Sequence, residues 1–505
     1  MSTVYPDDSP PQRGPPVARE RVWIVLPLLI TLLLYLPACF GAEWVVDDVP
    51  LIPRHKHPGD ILGEWTTSTH LHAANRAGGY LWRPLTSSLY QVWGEVFGRT
   101  PTPFRLLNLL LHLLNTALVV AGGRRLGARP MIAALVATAW AVHPLLPDAV
   151  CWMADTYDLL GASFLLLGLL AATAKRLSLS VRVILSSLTF FAALLSKEAS
   201  LSWLAALPLI VLVVQGLRPA LVHGVALLGV GLVHGRWHTT VVGAFDTSAG
   251  DILARTPLDF LGLYTDYLRW PLSLPVRAGF THLVVPGDAP LSPLGLLLLG
   301  LAPLLVVVGV RRDRRPPALL GAGIGVWAVM VAPGALAAMA FGQQASRYLY
   351  MPMMVAAPVL AASLPPLSAR HLRALGVLTL VWCVAWAPRT WVRIHAWQDE
   401  ASLYADELRS EPDNAFAQKE AGRLLVAKGE SAAGLALWRE ALQHPPASSF
   451  VMDVQRERLL LAKAALRAGV PELAREQLDT FLAEEQRVGR PVDDSVLRLR
   501  ASLPE

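Results

Sequence analysis

The chain has 505 residues, of which 54% are hydrophobic and only 16% are charged, and its mean hydropathy is +0.44. Soluble globular proteins carry about 25% charged residues, so this composition excludes a wholly soluble protein. The formal net charge of +6 argues for topology signals rather than nucleic-acid binding, because multi-spanning proteins concentrate Lys and Arg in their cytoplasmic loops. The three cysteines, Cys39, Cys151 and Cys383, lie in or beside apolar segments and show neither a disulfide framework nor a CxxC metal motif.

The chain begins with a polar N-terminal segment, residues 1–21, which we assign to the cytoplasm. The apolar run that follows has about 20 residues, a length that favours an uncleaved span over a signal peptide. Apolar runs of this kind recur as far as Trp391 and predict an all-α membrane domain, residues 22–396, of about eleven transmembrane helices. The predicted spans are 22–40, 104–121, 130–147, 158–174, 182–196, 199–215, 219–234, 290–310, 317–340, 347–364 and 371–388.

Basic residues set the predicted orientation. With a cytoplasmic N-terminus, every inner connection contains Lys or Arg, as the positive-inside rule requires. The first outer loop (41–103), an outer segment (235–289) and the C-terminal region then lie on the opposite side. The composition suits a bacterial inner membrane with the C-terminal region in the periplasm. The inner basic residues are Arg124, Arg125, Arg129, Lys175, Arg176, Arg182, Arg218, Arg311, Arg312, Arg314, Arg315, Arg370 and Arg373.

The first outer loop opens with two adjacent carboxylates, Asp47 and Asp48, in "EWVVDDVPLI". They either form part of a polar site or simply cap a short helix. The same loop contains two His-x-His pairs, which can ligate zinc but are more often solvated. These histidines are His55, His57, His70 and His72.

Further polar residues lie at the predicted outer ends of later spans. Arg83, in "WRPLT", and Arg347, in "RYLYMP" beside Tyr348, either extend to the membrane surface or bind a phosphate. His143 and Asp155 lie in "AVHPLLPDAVCWMADTYD", where a structural histidine and a helix-dipole carboxylate are the alternatives. Lys197 and Glu198 are adjacent, so mutual neutralisation is the simplest explanation for them. All six were predicted, with Tyr348, to line one substrate-binding cavity.

Residues 397–505 are rich in charge, with Leu and Ala at helical spacing. Gly422, Gly434 and Trp438 lie at spacings that match a tetratricopeptide repeat, and a second, similar segment follows about forty residues later. The sequence therefore predicts a tetratricopeptide-like helical domain on the outer side, with a plain helical bundle as the alternative. Such a domain binds partners and implies no chemistry of its own.

The order of these segments resembles the membrane protein O-mannosyltransferases that carry tetratricopeptide repeats, which are glycosyltransferases of the GT-C superfamily. The resemblance covers most of the chain, although "DAVCWMADTYD" departs from the family pattern in having Asp155 or its neighbour in place of an arginine. It implies a polyprenyl-phosphate sugar donor, with mannose as the expected sugar, and transfer to a hydroxyl of a protein or glycan acceptor. It also implies that an aspartate of the first outer loop is the general base, a position matched by Asp47 and Asp48.

A physical argument supports the same chemistry. A lipid phosphate is a good leaving group, so the enzyme needs one carboxylate to remove a proton from the acceptor and a cation to bind the phosphate. We predict Asp48 as the base, with Asp47 orienting the acceptor or holding a divalent ion, or the two roles exchanged. Apart from that possible ion, no cofactor is expected, and no Gly-rich nucleotide loop is present. The alternatives are a lipid or glycan transporter and a non-catalytic membrane scaffold.

Overall fold

The computed structural model describes residues 17–52, 61–66, 82–242, 257–273, 279, 282–283, 291–445 and 452–503. Within these residues, nine segments are helical, long and apolar enough to cross a membrane, which confirms the predicted all-α, multi-pass membrane protein. These segments are Val22–Cys39, Pro101–Leu126, Met153–Ala172, Leu179–Ser196, Glu198–Gln215, Leu217–Val242, Pro293–Arg311, Arg315–Ala340 and Ala369–Ala396.

The helices are numbered in chain order. Those up to the end of the membrane region are α1 (Val17–Tyr35), α2 (Asp48–Leu51), α3 (Ile61–Thr66), α4 (Pro84–Phe97), α5 (Pro101–Leu126), α6 (Pro130–Ala141), α7 (Pro147–Cys151), α8 (Thr156–Ala172), α9 (Leu179–Ser196), α10 (Trp203–Gln215), α11 (Leu217–Val242), α12 (Pro257–Arg269), α13 (Pro293–Arg311), α14 (Arg315–Phe341), α15 (Tyr350–Ser363) and α16 (Ala369–Ala396). The C-terminal helices are α17 (Glu400–Ser410), α18 (Ala415–Ala427), α19 (Ser431–Ala441), α20 (Val454–Arg467), α21 (Pro471–Val488) and α22 (Asp494–Ala501).

Two of the eleven predicted spans are shorter than expected. The predicted span 130–147 ends as a helix at Ala141, because Pro144 disfavours the helical conformation at the residue before it. The predicted span 347–364 becomes helical only at Tyr350, after a 3-10 turn over Ser346–Leu349. Both short helices, α6 and α15, are largely buried among longer helices.

The loops predicted to share the cytoplasmic side lie together in the structure. Arg315 Nη2 donates a hydrogen bond to the carbonyl oxygen of Leu126 at 2.8 Å. Arg129 Nη1 donates to the carbonyl oxygen of Leu367 at 2.7 Å. Three of the arginine-bearing connections therefore meet at one end of the bundle, and the C-terminal helices pack against the other, which we call the tail-bearing end.

Polar side chains on one face of α5 fix the position of its neighbours. Asn108 Nδ2 donates to the carbonyl oxygen of Trp152 at 2.9 Å, and Asn115 Nδ2 donates to Tyr350 Oη at 3.0 Å. His112 Nδ1 lies 2.9 Å from the same hydroxyl. These side chains are buried, so their hydrogen bonds satisfy groups that would be costly to leave unpaired. They hold α8 and α15, whose outer ends carry the polar residues described below.

The C-terminal helices pack as antiparallel hairpins, α18 with α19 and α20 with α21. Gly422 and Gly434 face each other in the first hairpin, where a Cβ at Gly422 would lie 2.7 Å from the carbonyl oxygen of Gly434. The predicted close approach of two helices is therefore present. The finer assignment of a tetratricopeptide domain stays a prediction.

Candidate active site

The residue before the aspartate pair has a strained backbone. Val46 has φ = +52°, a left-handed conformation that is unfavourable for a β-branched residue. Its N–H donates a hydrogen bond of 3.1 Å to Oε1 of Glu400, the first residue of α17. The turn at Val46 sends the side chains of Asp47 and Asp48 into different surroundings.

Asp48 is fully buried, and both of its carboxylate oxygens accept backbone hydrogen bonds. Oδ1 accepts from the N–H of Ala154 at 2.7 Å, and Oδ2 accepts from the N–H of Val45 at 3.1 Å. Burial raises the pKa of Asp48 to about 7, against the lowering effects of these two N–H groups and of Arg105. This carboxylate joins the first outer loop to the 3-10 turn Met153–Asp155, with both of its oxygens occupied by backbone N–H groups. The role of general base for Asp48 stays a prediction.

Asp47 is the accessible carboxylate of the pair. Its side chain is exposed to solvent, although enough protein surrounds it that burial raises its pKa, an effect opposed by the positive charge of Arg347. Tyr157 and Tyr404 lie within electrostatic range of it. Asp47 therefore lies exposed at the tail-bearing end, within electrostatic range of one cation and two tyrosines. We call Asp47, Arg347, Tyr157 and Tyr404 the Asp47 site.

Arg347 is held between two aromatic rings. Its guanidinium carbon lies 4.9 Å from the ring centroid of Trp152 and 4.7 Å from that of Tyr348, and Nη2 donates a 3.3 Å hydrogen bond to Tyr348 Oη. The turn that carries it is anchored by Ser346, whose hydroxyl donates to Asp148 Oδ2. Stacking on aromatic faces fixes the plane of a guanidinium, which keeps its positive charge.

Arg83 is already paired in this structure. It donates two hydrogen bonds to Glu198, from Nε to Oε2 at 2.8 Å and from Nη2 to Oε1 at 2.6 Å. Its guanidinium also lies 4.1 Å from the centroid of the Tyr157 ring. The side chain of Glu198 is 43% exposed and that of Arg83 is 6% exposed, so the ion pair lies at the boundary between the protein interior and solvent. Both arginines stay predicted phosphate-binding residues.

Lys197 and Glu198 each form an ion pair with another residue. Lys197 Nζ donates to Asp158 Oδ2 at 3.0 Å, with both side chains buried, while Glu198 pairs with Arg83. The turn after α9 directs the two side chains to different elements, although their charges still attract each other. Both ion pairs lie near the Tyr157 ring, whose centroid is 5.2 Å from Lys197 Nζ.

Asp155 is buried at the start of the α8 segment, close to Asp158, Lys197 and Arg347. Its Oδ2 has no hydrogen-bond partner among the residues that the structure describes. Its role as a substrate-binding residue stays a prediction.

His143 has a structural explanation. Its Nδ1 accepts the N–H of Leu145 at 3.2 Å, and its Nε2 lies 3.3 Å from the carbonyl oxygen of Pro271, so the neutral Nε2–H tautomer satisfies both contacts. The ring packs against Trp382 and Trp386. This arrangement ends α6 and gives no evidence for the predicted substrate contact.

The four candidate metal-binding histidines, His55, His57, His70 and His72, lie outside the described residues. In the part of the chain that the structure describes, no group of three or more His, Cys, Asp or Glu side chains is arranged to hold a metal ion.

Sequence reasoning missed a charged cluster that attaches the C-terminal helices to the site. Arg393 Nε donates to Asp148 Oδ1 at 2.9 Å, and its two Nη atoms lie 2.7 Å from carboxylate oxygens of Asp406 and Glu407. Arg393 holds the pKa of Asp148 below its ordinary value although burial acts in the opposite direction. Trp397 Nε1 adds a 2.8 Å hydrogen bond to the same Asp148 oxygen. Asp148 lies 245 positions from Arg393 in the sequence, so no local pattern signals the cluster.

Comparison with known proteins identifies structural neighbours only. No family model matches the chain, and no curated protein matches it in sequence. The crystal structure of ArnT from Cupriavidus metallidurans in the apo state aligns with 17% identity over 91% of this chain and 78% of ArnT, with a TM-score of 0.40. ArnT bound to undecaprenyl phosphate aligns with 18% identity over 90% of this chain and 80% of ArnT, with a TM-score of 0.39. With similarity at this level, the activity of the chain must be argued from its own residues.

Proposed function

We propose that the protein is a membrane glycosyltransferase of the GT-C type that moves a sugar from a polyprenyl-phosphate donor to a hydroxyl group of an acceptor. The observation that carries this proposal is one solvent-exposed carboxylate, Asp47, within electrostatic range of the buried cation Arg347, whose guanidinium packs on the ring of Trp152. A general base and a phosphate-binding cation are the two groups that this transfer needs.

In the proposed reaction, Asp47 accepts the proton of the acceptor hydroxyl while the hydroxyl oxygen attacks the anomeric carbon of the sugar. The bond from that carbon to the phosphate oxygen breaks, and the lipid phosphate leaves with the bonding electrons. Arg347 stabilises the charge on the leaving phosphate. Burial raises the pKa of Asp47, which makes it a stronger base than an ordinary aspartate.

The positions of the other charged groups favour an enzyme over the transporter and scaffold alternatives. The ion pairs Arg83–Glu198 and Lys197–Asp158 lie at helix ends around Tyr157. A transport pathway is usually marked by ionisable residues deep within spans. A scaffold that only presents its C-terminal helices does not need these pairs.

The finer details of the proposal come from the resemblance described above and from charge. The resemblance supports mannose as the sugar and a protein or glycan hydroxyl as the acceptor. The arginine-bearing loops at the opposite end of the bundle support a cytoplasmic location for that end and a periplasmic location for the Asp47 site and the C-terminal helices. The hairpins of α18 to α21 are candidates for acceptor recruitment.

Reconstituted protein tests the proposal. Proteoliposomes supplied with polyprenyl-phosphate mannose, or the corresponding glucose lipid, and with an acceptor peptide should release polyprenyl phosphate and produce glycosylated peptide. Asp47→Asn should lower this rate by about 10²- to 10⁴-fold, the usual contribution of a general base. Asp313→Asn, a matched exchange at an exposed residue of the opposite end, should leave it unchanged. Movement of the lipid across the bilayer without transfer of any sugar would overturn the proposal in favour of a transporter.

A further inference from the structure

The first helix of the C-terminal region contributes to the Asp47 site. We infer that Glu400 is a positioning residue that fixes the backbone turn from which Asp47 is presented, an inference that rests on the proposed function. In the proposed reaction, Glu400 does not contact the reacting groups. It acts through Val46, whose N–H it accepts at 3.1 Å.

The turn at Val46 needs an external partner. A β-branched residue at φ = +52° is strained, and such a conformation persists only where its surroundings impose it. The hydrogen bond to Glu400 is one such constraint, and a charged acceptor makes it stronger than a bond between neutral groups. On the other side of the turn, the buried carboxylate of Asp48 fixes the N–H of Val45. The peptide that leads to Asp47 is therefore held between two carboxylates.

Glu400 can impose this geometry because its own helix is firmly held. Asp399 caps α17 by accepting the N–H of Ser402 at 2.8 Å. The backbone carbonyl oxygen of Gln398 accepts the N–H of Glu43 at 2.8 Å. The side-chain Nε2 of Gln398 donates to the carbonyl oxygen of Ala38 at 3.1 Å. These contacts join the start of α17 to the segment that leads from α1 to the aspartate pair.

The same helix, α17, also contributes Tyr404 to the Asp47 site. Tyr404 lies four residues after Glu400, and residues at this spacing share one face of a helix. Tyr404 is buried and lies within electrostatic range of both Glu400 and Asp47. The face of α17 that carries Glu400 and Tyr404 is therefore turned toward the Asp47 site. Removal of the C-terminal region should abolish transfer to every acceptor, including a short peptide.

Two substitutions at Glu400 separate positioning from general support of the fold. Glu400→Gln keeps an oxygen that accepts the Val46 N–H, whereas Glu400→Ala removes it. We expect Glu400→Ala to lower kcat by about 10- to 100-fold, because a small misplacement of a catalytic group has an effect of this size. Its KM for the lipid donor and its melting temperature should stay near wild type. Glu400→Gln should restore most of kcat, and Glu430→Ala, an exposed glutamate of the same region, should behave as wild type.

Hydrogen–deuterium exchange gives a readout that does not depend on activity. The amide of Val46 should exchange faster in Glu400→Ala than in wild type, and Glu400→Gln should retain the protection. Unchanged exchange at Val46 in Glu400→Ala, or a Glu400→Gln variant as impaired as Glu400→Ala, would overturn the inference. If the exchange result holds but wild-type protein transfers no sugar, the proposed function fails and the structural coupling stands.

Discussion

The two adjacent aspartates should respond in opposite ways to the same exchange. Asp47→Asn removes an exposed carboxylate and should abolish transfer with little change in stability. Asp48→Asn replaces a carboxylate that accepts the N–H groups of Ala154 at 2.7 Å and Val45 at 3.1 Å in a fully buried position. Its principal effect should be on folding.

The size of the second effect follows from the geometry. Asparagine keeps one oxygen, which can accept one of the two N–H groups, but its NH₂ group then faces the other. That backbone N–H is left buried without an acceptor, a loss of about 1 to 3 kcal/mol in the free energy of unfolding. The loss falls on the contact between the first outer loop and the turn Met153–Asp155.

Thermal unfolding in detergent and the transfer assay, applied to both variants, measure this contrast. Asp48→Asn should show a clearly lowered melting temperature, with residual transfer in the fraction that remains folded. Asp47→Asn should melt near wild type and be inactive. A stable, inactive Asp48→Asn together with an active Asp47→Asn would refute this reasoning and restore Asp48 as the base.

Three further predictions concern pH, the attachment of the C-terminal helices and their packing. Because the base must be ionised and its pKa lies above the ordinary 3.8, kcat/KM should fall by about tenfold per pH unit below the raised pKa of Asp47. Arg393→Gln should destabilise the protein by about 3 to 5 kcal/mol, since it leaves Asp148 buried without its cation. Gly422→Ala should destabilise the first C-terminal hairpin by about 1 to 3 kcal/mol, because the added methyl group would lie 2.7 Å from the carbonyl oxygen of Gly434.

Each of these predictions has a simple control. The pH profile of lipid-phosphate binding should lack the acid limb, since binding does not require the base. Asp406→Asn removes only one of the carboxylates around Arg393 and should cost less than Arg393→Gln. Gly229→Ala, in a helix where an added methyl group has nothing within 4 Å, should not destabilise the protein. A profile flat through acid pH, or variants at Arg393 and Gly422 that melt like wild type, would contradict the corresponding argument.

The sequence predicted the helices well because long apolar runs have few alternatives in a membrane. It overestimated the lengths of two of them for a physical reason. The helices α6 and α15 are surrounded by other helices, so their hydrophobicity reflects burial in protein and does not require a full membrane-crossing length. Pro144 and the turn at Ser346–Leu349 then set their ends.

The sequence indicated part of the candidate site. The pattern "VVDD" drew attention to the two aspartates and the later motifs to Arg83 and Arg347, because these residues lie at the predicted outer ends of spans, opposite the arginine-bearing connections. Which aspartate is exposed depends on the turn at Val46, and φ = +52° at a valine has no sequence signature. The pairing of Arg83 with Glu198 joins residues 115 positions apart, so only the folded chain shows it.

The contribution of the C-terminal region to the site was not predicted. A helical repeat pattern describes how helices pack with one another and contains no information about what lies beneath them. Glu400 and Arg393 look like ordinary charged residues at helix ends. Their roles follow from Val46 and Asp148, which approach them from distant parts of the chain.

A structure of the protein bound to a polyprenyl phosphate, determined by electron cryomicroscopy in lipid nanodiscs, tests the central claim most directly. We expect phosphate oxygens hydrogen-bonded to the guanidinium of Arg347, with the Asp47 carboxylate on the same side of the guanidinium as the phosphate. A phosphate bound at the arginine-bearing end of the bundle, or at the tail-bearing end but away from Arg347 and Asp47, would contradict it.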